Sequence, residues 1–236
     1  MQMGDWAAGV ESFFECSKDE PCCSTDDERF DQIYPPRVRK LSSLHWTPVA
    51  VASAAAKLLV RKPGTRVLDI GCGPGKFCLI GAALTDGHFT GIEQRSHLAK
   101  AARQAALDQG IYNVEIIHGN VTSVSFSNYD AFYLFNPFEE NMFERQKIDG
   151  AVPLSATLYK KYTRYVAAEL RAKPLGTLVV NYAGYSHEVP SCYNCQLSGF
   201  AGSLKLWVKV RKPAPEDERF GTLFYRRTRA DSFELK

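Results

Sequence analysis

Three glycines at alternate positions, Gly71, Gly73 and Gly75, follow a short apolar stretch whose single charged residue is Asp69. Glycine permits backbone angles, and a close approach of a ligand, that a Cβ atom would block. The turn runs directly into a predicted helix, whose first N–H groups are available to an anionic or polar cofactor. A second acid, Glu93, ends the next apolar stretch. A glycine turn followed by such an acid is typical of sites for nucleotide-containing cofactors.

The spacing of the glycines distinguishes two kinds of cofactor. Dinucleotide enzymes use Gly-x-Gly-x-x-Gly, in which the third glycine lets the helix pack closely on the strand. Here the third glycine comes one position earlier, and Asp69 stands two residues before the first. A carboxylate there suits an amino group of the ligand and would repel a pyrophosphate. The pattern therefore disfavours a nicotinamide-dependent oxidoreductase, which stays as the alternative.

These residues resemble the cofactor motifs of the class I S-adenosylmethionine-dependent methyltransferases. The stretch Val67–Phe77 is similar to their first motif, and Thr90-Gly91-Ile92-Glu93 is similar to their second. The order of predicted elements agrees with the family from about Thr47 to about Thr228. The resemblance implies that S-adenosylmethionine is the methyl donor and S-adenosylhomocysteine the product. It also implies a cofactor site formed by Asp69 near the methionine ammonium, by Gly71, Gly73 and Gly75, and by Glu93 at the ribose hydroxyls.

Asn120 departs from the pattern of that family. It follows the third predicted strand, where the family usually has an aspartate that recognises the adenine amino group. An amide can still accept a hydrogen bond from this amine and donate one to a ring nitrogen. We therefore expect Asn120 to contact the adenine. The departure also keeps open a second alternative, a non-catalytic binding or regulatory protein that retains the fold.

The sequence Asn136-Pro137-Phe138 ends the fourth predicted strand, at the edge where open α/β sheets bind ligands. It resembles the Asn-Pro-Pro-Tyr motif of amino-methyltransferases but lacks one proline. In that motif the asparagine holds a planar amine and the aromatic ring stacks on it. Asn136 and Phe138 are therefore candidate catalytic residues, and Asn136 is also a candidate cofactor contact. His187, beyond the fifth strand, is a candidate general base for a hydroxyl acceptor.

The predicted reaction is an in-line transfer of a methyl group to nitrogen or oxygen, promoted by alignment and by exclusion of water. A small-molecule acceptor is favoured over a protein side chain, because the chain has room for a lid but no large recognition domain. No basic run with interleaved aromatic residues indicates nucleic acid as a partner, and nothing in the sequence rules it out. The oligomeric state is not indicated.

Alternating strand and helix patterns position these residues on one sheet. A helix over about residues 49–60 precedes the first strand, with Thr47 as its predicted cap and Pro48 at its first position. Leu204–Val210 has the period of a half-buried strand, and Thr222–Thr228 is its predicted antiparallel partner. Five β–α units followed by a hairpin predict an α/β fold: a doubly wound, mostly parallel, seven-stranded sheet with a C-terminal antiparallel hairpin.

The charge of the chain is distributed unevenly. Residues 1–31 contain nine acidic and two basic residues, although the whole chain has a net charge of +3. We predict an acidic N-terminal arm or lid over residues 1–36 and a cofactor-binding domain over residues 37–236. The arm is either a solvated head or a segment folded over a basic active-site face. Trp46, just before the first domain helix, is expected in the core.

The cysteines and the apolar runs indicate a cytoplasmic protein. Seven cysteines, an odd number, fit reduced thiols better than a disulfide framework. The N-terminus lacks the basic-then-apolar order of a secretory signal, and no apolar run reaches the roughly 18 residues of a membrane span. Cys192 and Cys195 have the spacing of one of the two ligand pairs of a zinc site. One pair is weak evidence, and we expect no metal.

Overall fold

The structure is a computed structural model that describes residues 23–142, 147–184 and 188–214. Its helices are α1 (Cys23–Phe30), α2 (Pro36–Arg39), α3 (Ser42–His45), α4 (Val49–Leu59), α5 (Lys76–Leu84), α6 (Ser96–Asp108) and α7 (Ala156–Ala172). Its strands are β1 (Arg66–Ile70), β2 (His88–Glu93), β3 (Val114–His118), β4 (Ala131–Phe135), β5 (Leu178–Tyr182), β6 (Tyr193–Gly199) and β7 (Leu204–Lys209). Short 3₁₀ turns connect several of them. The first 22 residues of the predicted arm, His187 and Thr222–Thr228 lie outside these ranges.

The strands form one seven-stranded sheet in the order β3-β2-β1-β4-β5-β7-β6. The first five are parallel, whereas β7 runs antiparallel to both β5 and β6. The predicted fold class, with its mostly parallel sheet and antiparallel hairpin, is therefore confirmed. The chain moves outward from β1 to β3 and then returns to the other side of β1 with β4. The crevice between β1 and β4 is the point where sheets of this kind bind ligands.

The hairpin uses different residues from those predicted. β7 pairs with β6 along one edge and with β5 along the other, with Tyr182 opposite Leu204. Because both edges of β7 are occupied, the assignment of Thr222–Thr228 as its partner was wrong. The sequence does not indicate β6 because five consecutive residues of this strand are exposed, which removes the alternation that marks a half-buried strand. A register shift between Cys195 and Leu197 adds to this irregularity.

Alternation along β1 divides the core into two clusters. Val67 packs into a cluster with apolar residues of α4, α5 and α6, whereas Leu68 and Ile70 belong to a cluster with residues of α7. Side chains two residues apart share a face of a strand, so Asp69 lies on the Val67 face. It is 3% exposed. The sheet is thus covered on both faces, and its functional groups are carried by the loops at its carboxyl edge.

The start of α4 differs from the prediction. Pro48, not Thr47, occupies the N-cap position, and the Thr47 hydroxyl hydrogen-bonds the Tyr133 hydroxyl at 3.0 Å. The cap comes from a distant residue, because Val49 N donates to Asp27 Oδ1 of α1 at 2.9 Å. A carboxylate at a helix N-terminus accepts an otherwise unpaired N–H group and interacts favourably with the helix dipole. Part of the predicted acidic arm therefore contacts the domain directly.

Within the described ranges, no helix combines the length and the apolar character needed to cross a lipid bilayer.

Candidate active site

A cavity of about 390 Å³ lies at the carboxyl ends of β1, β2 and β4, at the crevice where the strand order reverses. The glycine turn, the loop after β2, the loop after β4 and the segment before α4 each contribute to its wall. The lining residues that matter for chemistry are His45, Trp46, Gly71, Gly73, Glu93, Arg95, Asn120, Asn136, Phe138, Glu139, Glu140 and Tyr182. Six of the sequence-predicted site residues are thus brought together: Gly71, Gly73, Glu93, Asn120, Asn136 and Phe138.

The backbone N–H groups of the glycine turn are occupied by the protein itself. Gly71 N and Cys72 N both donate to the carbonyl of Ile92, at 3.0 and 3.1 Å. Gly73 N donates to Glu93 Oε2 at 3.1 Å, and Gly75 N donates to the Cys72 carbonyl at 2.9 Å. Pro74 has no N–H group. The N–H groups of residues 71–75 are therefore not free for a cofactor, because β2 and the turn itself accept them. The predicted role of the first N–H groups of α5 stays a prediction.

Each glycine of the turn has a positive φ and a different neighbour. A Cβ atom on Gly71 would lie 2.9 Å from the Cβ of Pro137, and one on Gly73 would lie 2.7 Å from the Trp46 ring. A Cβ atom on Gly75 would lie 3.0 Å from the Ala102 side chain. Gly71 and Gly73 line the cavity, whereas the glycine nearest the helix allows α5 and α6 to pack closely. The cofactor role predicted for Gly75 stays a prediction, since this residue lies outside the cavity wall.

Gly73→Ala tests how closely the turn and Trp46 must fit. An alanine at a φ of +55° is strained by roughly 1–2 kcal/mol, and its methyl group would displace the Trp46 ring. Gly64→Ala is a matched control, because Gly64 has a φ of +74° and nothing within 4 Å of an added Cβ. We expect urea denaturation to show a larger loss of stability for Gly73→Ala than for the control. Equal losses would mean that the Trp46 contact is unimportant.

Glu93 is held at the cavity by two backbone N–H groups. Its Oε2 atom accepts from Gly73 N, and its Oε1 atom accepts from Arg95 N at 2.7 Å. Burial raises the pKa of this carboxyl above its usual range, and these hydrogen bonds oppose the effect. A carboxylate offers about four lone-pair sites, so two remain for hydroxyl groups of a ligand. The acid predicted at the end of the second strand thus lies beside the turn, with its orientation fixed.

Asp69 lies behind the main cavity, not on its wall. It lines a smaller cavity, together with Trp46, Gly71, Phe135 and others, that adjoins the main one through these shared residues. The Cys78 thiol donates to Asp69 Oδ2 at 3.5 Å. Burial raises the pKa of Asp69 to about 8, with the Cys78 hydrogen bond opposing the shift and the Glu93 charge adding to it. Its predicted contact with an ammonium group stays a prediction.

Asn120 lines the cavity but uses its side-chain oxygen locally. Asn120 Oδ1 accepts from Thr122 N at 3.1 Å and from Thr122 Oγ1 at 2.9 Å, which caps the turn after β3. Both lone pairs of this oxygen are therefore engaged. The side-chain NH₂ group is left as the part of the amide that a ligand can use. Of the two predicted hydrogen bonds to adenine, only the one that the Asn120 NH₂ group would donate is left.

Asn136 and Ala183 directly follow the neighbouring strands β4 and β5, and both line the cavity. Both have a positive φ, 42° for Asn136 and 50° for Ala183. Such backbone angles are uncommon outside glycine and are concentrated at functional sites. Burial raises the pKa of Glu139, and the Asn136 side chain opposes this shift. The Asn136 Oδ1 atom is buried and, within the part of the chain described, has no hydrogen-bond partner. The oxygen lies close to Gly184, because a Cβ atom built there would be 3.4 Å from it.

Four aromatic rings line the same cavity as Asn136. The Phe138 ring lies 5.5 Å from that of Tyr162, and the Phe135 ring lies 5.0 Å from that of Tyr182, as measured between ring centroids. All four residues line the cavity. Phe138 is therefore a wall residue, packed against α7. The site combines a planar apolar surface with one buried carbonyl oxygen.

Arg95 joins the loop after β2 to the loop after β4. Its side chain is 2% exposed, and its guanidinium forms a bidentate pair with Glu140 at 2.6 and 2.7 Å. Its Nε atom donates to Asp149 at 2.9 Å. Because its backbone N–H also holds Glu93, this residue links the predicted ribose acid to the loop that begins at Asn136. No sequence pattern indicates this ion-pair network, since the partners of Arg95 are 45 and 54 residues away.

Two further wall residues were not predicted as site residues. Trp46, expected in the core, is indeed buried, but its ring also covers Gly73 and lines the cavity. His45 lines both cavities, and burial lowers its pKa, with Glu140 opposing the shift and Arg95 assisting it. His45 is therefore a neutral imidazole at pH 7. The only sequence signal for either residue was its position immediately before α4.

Among the described residues, no group of three or more histidine, cysteine, aspartate or glutamate side chains has the arrangement of a metal site. Cys192 is buried and Cys195 is exposed on β6.

The family model described as "Methyltransferase domain" matches residues 61–196, more than half of the chain. The chain belongs to this methyltransferase family. The matched range begins before β1 and runs into β6, so it contains the glycine turn, Glu93 and the loop after β4. The chain is 33% identical over 72 residues to the demethylmenaquinone methyltransferase of Listeria monocytogenes. The match covers 30% of this chain. It also covers 30% of the curated relative, so the chain spans less than a third of that relative's length.

Solved structures share the fold of this chain at low sequence identity. An RNA methyltransferase from Salinibacter ruber, in complex with S-adenosyl-L-homocysteine, superimposes with a TM-score of 0.50 and 18% identity, covering 72% of this chain and 96% of that one. TrmN from Thermus thermophilus has a TM-score of 0.51 and 17% identity, covering 73% of this chain and 51% of that one. At such identities the likeness concerns the fold alone.

Proposed function

We propose that the protein is a class I S-adenosylmethionine-dependent methyltransferase. The observation that carries the proposal is the glycine turn, whose N–H groups between Gly71 and Gly75 all donate to protein acceptors while Glu93 lines the adjoining cavity. A pyrophosphate would meet no free N–H group in this stretch and a carboxylate beside it. A cationic nucleoside would meet neither obstacle. The arrangement supports S-adenosylmethionine over a nicotinamide dinucleotide.

The charge of the cavity supports the same cofactor. Among the described lining residues, Glu93, Glu139 and Glu140 carry carboxyl groups, and Arg95 carries the only permanent positive charge. Arg95 is already paired with Glu140 and Asp149. The cavity therefore favours a ligand with positive charge. S-adenosylmethionine carries a sulfonium and an ammonium group.

The residues of the cavity have separate roles in this proposal. Glu93 accepts the ribose hydroxyls through its remaining lone pairs, and Asn120 donates to a ring nitrogen of the adenine. Asp69 attracts the ammonium group from the adjoining small cavity. When bound, S-adenosylmethionine supplies a methyl group on a positively charged sulfur. The protein contributes alignment and exclusion of water.

The loop after β4 favours a nitrogen acceptor. Asn136 Oδ1 lies in a buried position and accepts an N–H group of the incoming substrate, which turns the nitrogen lone pair away from the amide. Glu139 and the ring of Phe138 lie on the same wall. An amine that arrives neutral needs no strong base. For a hydroxyl acceptor, the neutral imidazole of His45 is the described group that can take the proton, and His187 keeps the role predicted from the sequence.

The proposed acceptor is a small molecule, which is favoured over a protein side chain. The proposed location of the reaction is the cytoplasm. The cavity of about 390 Å³ has to hold both the cofactor and the acceptor, and it lies at the small end of the range for small-molecule pockets, about 300–1,000 Å³. A small acceptor is therefore favoured. The aromatic walls of the cavity suit a compact planar amine.

Calorimetry with S-adenosylmethionine, S-adenosylhomocysteine and NAD tests the cofactor. We expect the first two to bind and NAD to give no heat of binding. Binding of NAD alone would overturn the proposal in favour of an oxidoreductase. Transfer of tritium from labelled S-adenosylmethionine to a panel of amines and matched alcohols then tests catalysis. Cofactor binding without transfer to any member would favour a non-catalytic protein.

Asn136→Gly tests the acceptor role of the amide. Glycine accepts the positive φ at this position, so the side chain is removed without added backbone strain. We expect the rate of methyl transfer to an amine from the panel to fall roughly 100-fold, the scale for removing one positioning hydrogen-bond group. The affinity for S-adenosylhomocysteine should change by less than about threefold. Asn128→Ala, at an exposed asparagine, is the control. Unchanged transfer by Asn136→Gly would reject the role.

A further inference from the structure

Lys76 follows the glycine turn directly and is buried with two acidic side chains. Its side chain is 2% exposed, and Nζ lies 2.6 Å from Asp27 Oδ1 and 2.8 Å from Asp31 Oδ1. A third, longer contact of 3.4 Å reaches the hydroxyl of Ser42. The ring of Phe30 lies 5.4 Å from the same nitrogen. Every partner belongs to the segment that precedes α4.

Local preferences do not explain a lysine at this position. A positive charge in the first turn of α5 opposes the helix dipole, and a buried ion needs partners that offset its desolvation. The two aspartates offset both the unfavourable interaction with the helix dipole and the cost of desolvation. Asp27 Oδ1 also accepts Val49 N, so one carboxylate group joins α1, the start of α4 and the start of α5. The cluster thus ties three separate elements together beside the turn.

The segment attached in this way forms part of the cavity wall. It ends in Leu44, His45 and Trp46, which line the main cavity. Trp46 Nε1 donates to the Val38 carbonyl at 3.0 Å, so the ring that covers Gly73 is fixed from within the same segment. Lys76, Asp27 and Asp31 do not line the main cavity themselves. Lys76 lines the smaller adjoining cavity together with Asp69, and the two aspartates act on the main cavity through the position of the segment.

We infer that Lys76 is a positioning residue for the cofactor site: its ion pairs with Asp27 and Asp31 hold residues 26–46 as a wall against the glycine turn. The inference rests on the proposed cofactor. It goes beyond that proposal because it assigns part of the acidic arm a permanent place in the cavity. This segment is then neither a solvated head nor a cover over a basic face.

Lys76→Met and Asp31→Asn test the inference. Methionine keeps the length of the side chain without its charge, and Asp31→Asn is the milder variant, which leaves Asp27 in place. We expect the affinity for S-adenosylhomocysteine, measured by calorimetry, to fall about tenfold or more for Lys76→Met and less for Asp31→Asn. The double variant should be no worse than Lys76→Met, since both changes remove one interaction. Hydrogen exchange should accelerate at the amides of residues 36–46 and not in β4 and β5.

Two controls separate positioning from loss of stability. Tyr193→Phe removes a buried hydrogen bond to the Leu170 carbonyl on the far side of the sheet, and Asp130→Asn removes an exposed ion pair with Arg66. Neither should change the affinity for S-adenosylhomocysteine. Wild-type affinity and unchanged exchange in Lys76→Met or Asp31→Asn would overturn the inference. If the wild-type protein binds no S-adenosylhomocysteine, the proposed function fails, and the exchange pattern still decides whether Lys76 holds the segment.

Discussion

Replacement of Glu93 by alanine is expected to lower the affinity for S-adenosylmethionine by roughly 100-fold or more. Hydrogen bonds to a charged group contribute about 1.5–3 kcal/mol each, and about 1.4 kcal/mol corresponds to a factor of ten. The carboxylate is proposed to receive two ribose hydroxyls, and it also holds Gly73 N and Arg95 N in place. Calorimetry with the cofactor and with S-adenosylhomocysteine measures the effect.

Further variants separate the ribose contacts from the support of the backbone. Glu93→Gln keeps one acceptor oxygen and the size of the side chain, so its loss of affinity should be smaller than that of Glu93→Ala. Glu115→Ala, at an exposed glutamate on the neighbouring strand β3, should bind as the wild type does. Circular dichroism verifies that each variant is folded. A folded Glu93→Ala protein with wild-type affinity would reject the ribose role.

The second large effect is a dependence of stability on pH that originates at Asp69. Its pKa is raised from 3.8 to about 8 in the folded protein, so between these values the folded state binds more protons than the unfolded state. Stability therefore falls as the pH rises from about 4 to about 8, by at most about 1.4 kcal/mol per pH unit for one group. Asp69→Asn cannot titrate. We expect its free energy of unfolding, from urea denaturation, to fall less than that of the wild type between pH 5 and pH 8.

Asp86→Asn, at an exposed carboxyl before β2, should keep the pH dependence of the wild type. A parallel pH dependence in Asp69→Asn and in the wild type would contradict the assignment to Asp69. The same group also gives a signal on ligand binding. An ammonium group near Asp69 favours the charged carboxylate, so binding of S-adenosylmethionine at pH 7 should release protons. Calorimetry in two buffers with different ionisation enthalpies detects this release, which Asp69→Asn should lose.

Much of the framework could be predicted because it depends on local patterns. The run from Val67 to Phe77 marks a buried strand, a turn and a helix, and Glu93 ends a second apolar strand. Parallel strands bring their carboxyl ends to one edge, which places Glu93 beside the turn and Asn136 across from it. These inferences need only periodicity and the topology of a doubly wound sheet. They gave the fold class and the location of the cavity.

The features that the sequence analysis missed depend on the direction in which a side chain or an N–H group points, or on partners far away in the chain. The place of Trp46 just before α4 predicts burial, but burial does not tell which neighbour its ring covers. The occupied N–H groups of the turn depend on the approach of Ile92 and Glu93, which no spacing within the turn encodes. Lys76 forms ion pairs with Asp31 and Asp27, which lie 45 and 49 positions earlier in the chain. Composition shows an acidic arm, and only the packed structure shows which carboxylates are used.

The pairing of Arg95 with Glu140 and Asp149 limits how the acceptor loop can be exchanged. A loop grafted after β4 from another protein would have to supply two carboxylates at the same places. Without them it would leave a buried guanidinium with no counterion, a defect that costs several kcal/mol. Engineering of a new acceptor preference is therefore better confined to Phe138, Tyr162 and Tyr182, which line the cavity but are outside this ion-pair network. A larger transplant would have to move the loop after β2 and the loop after β4 together, as one unit.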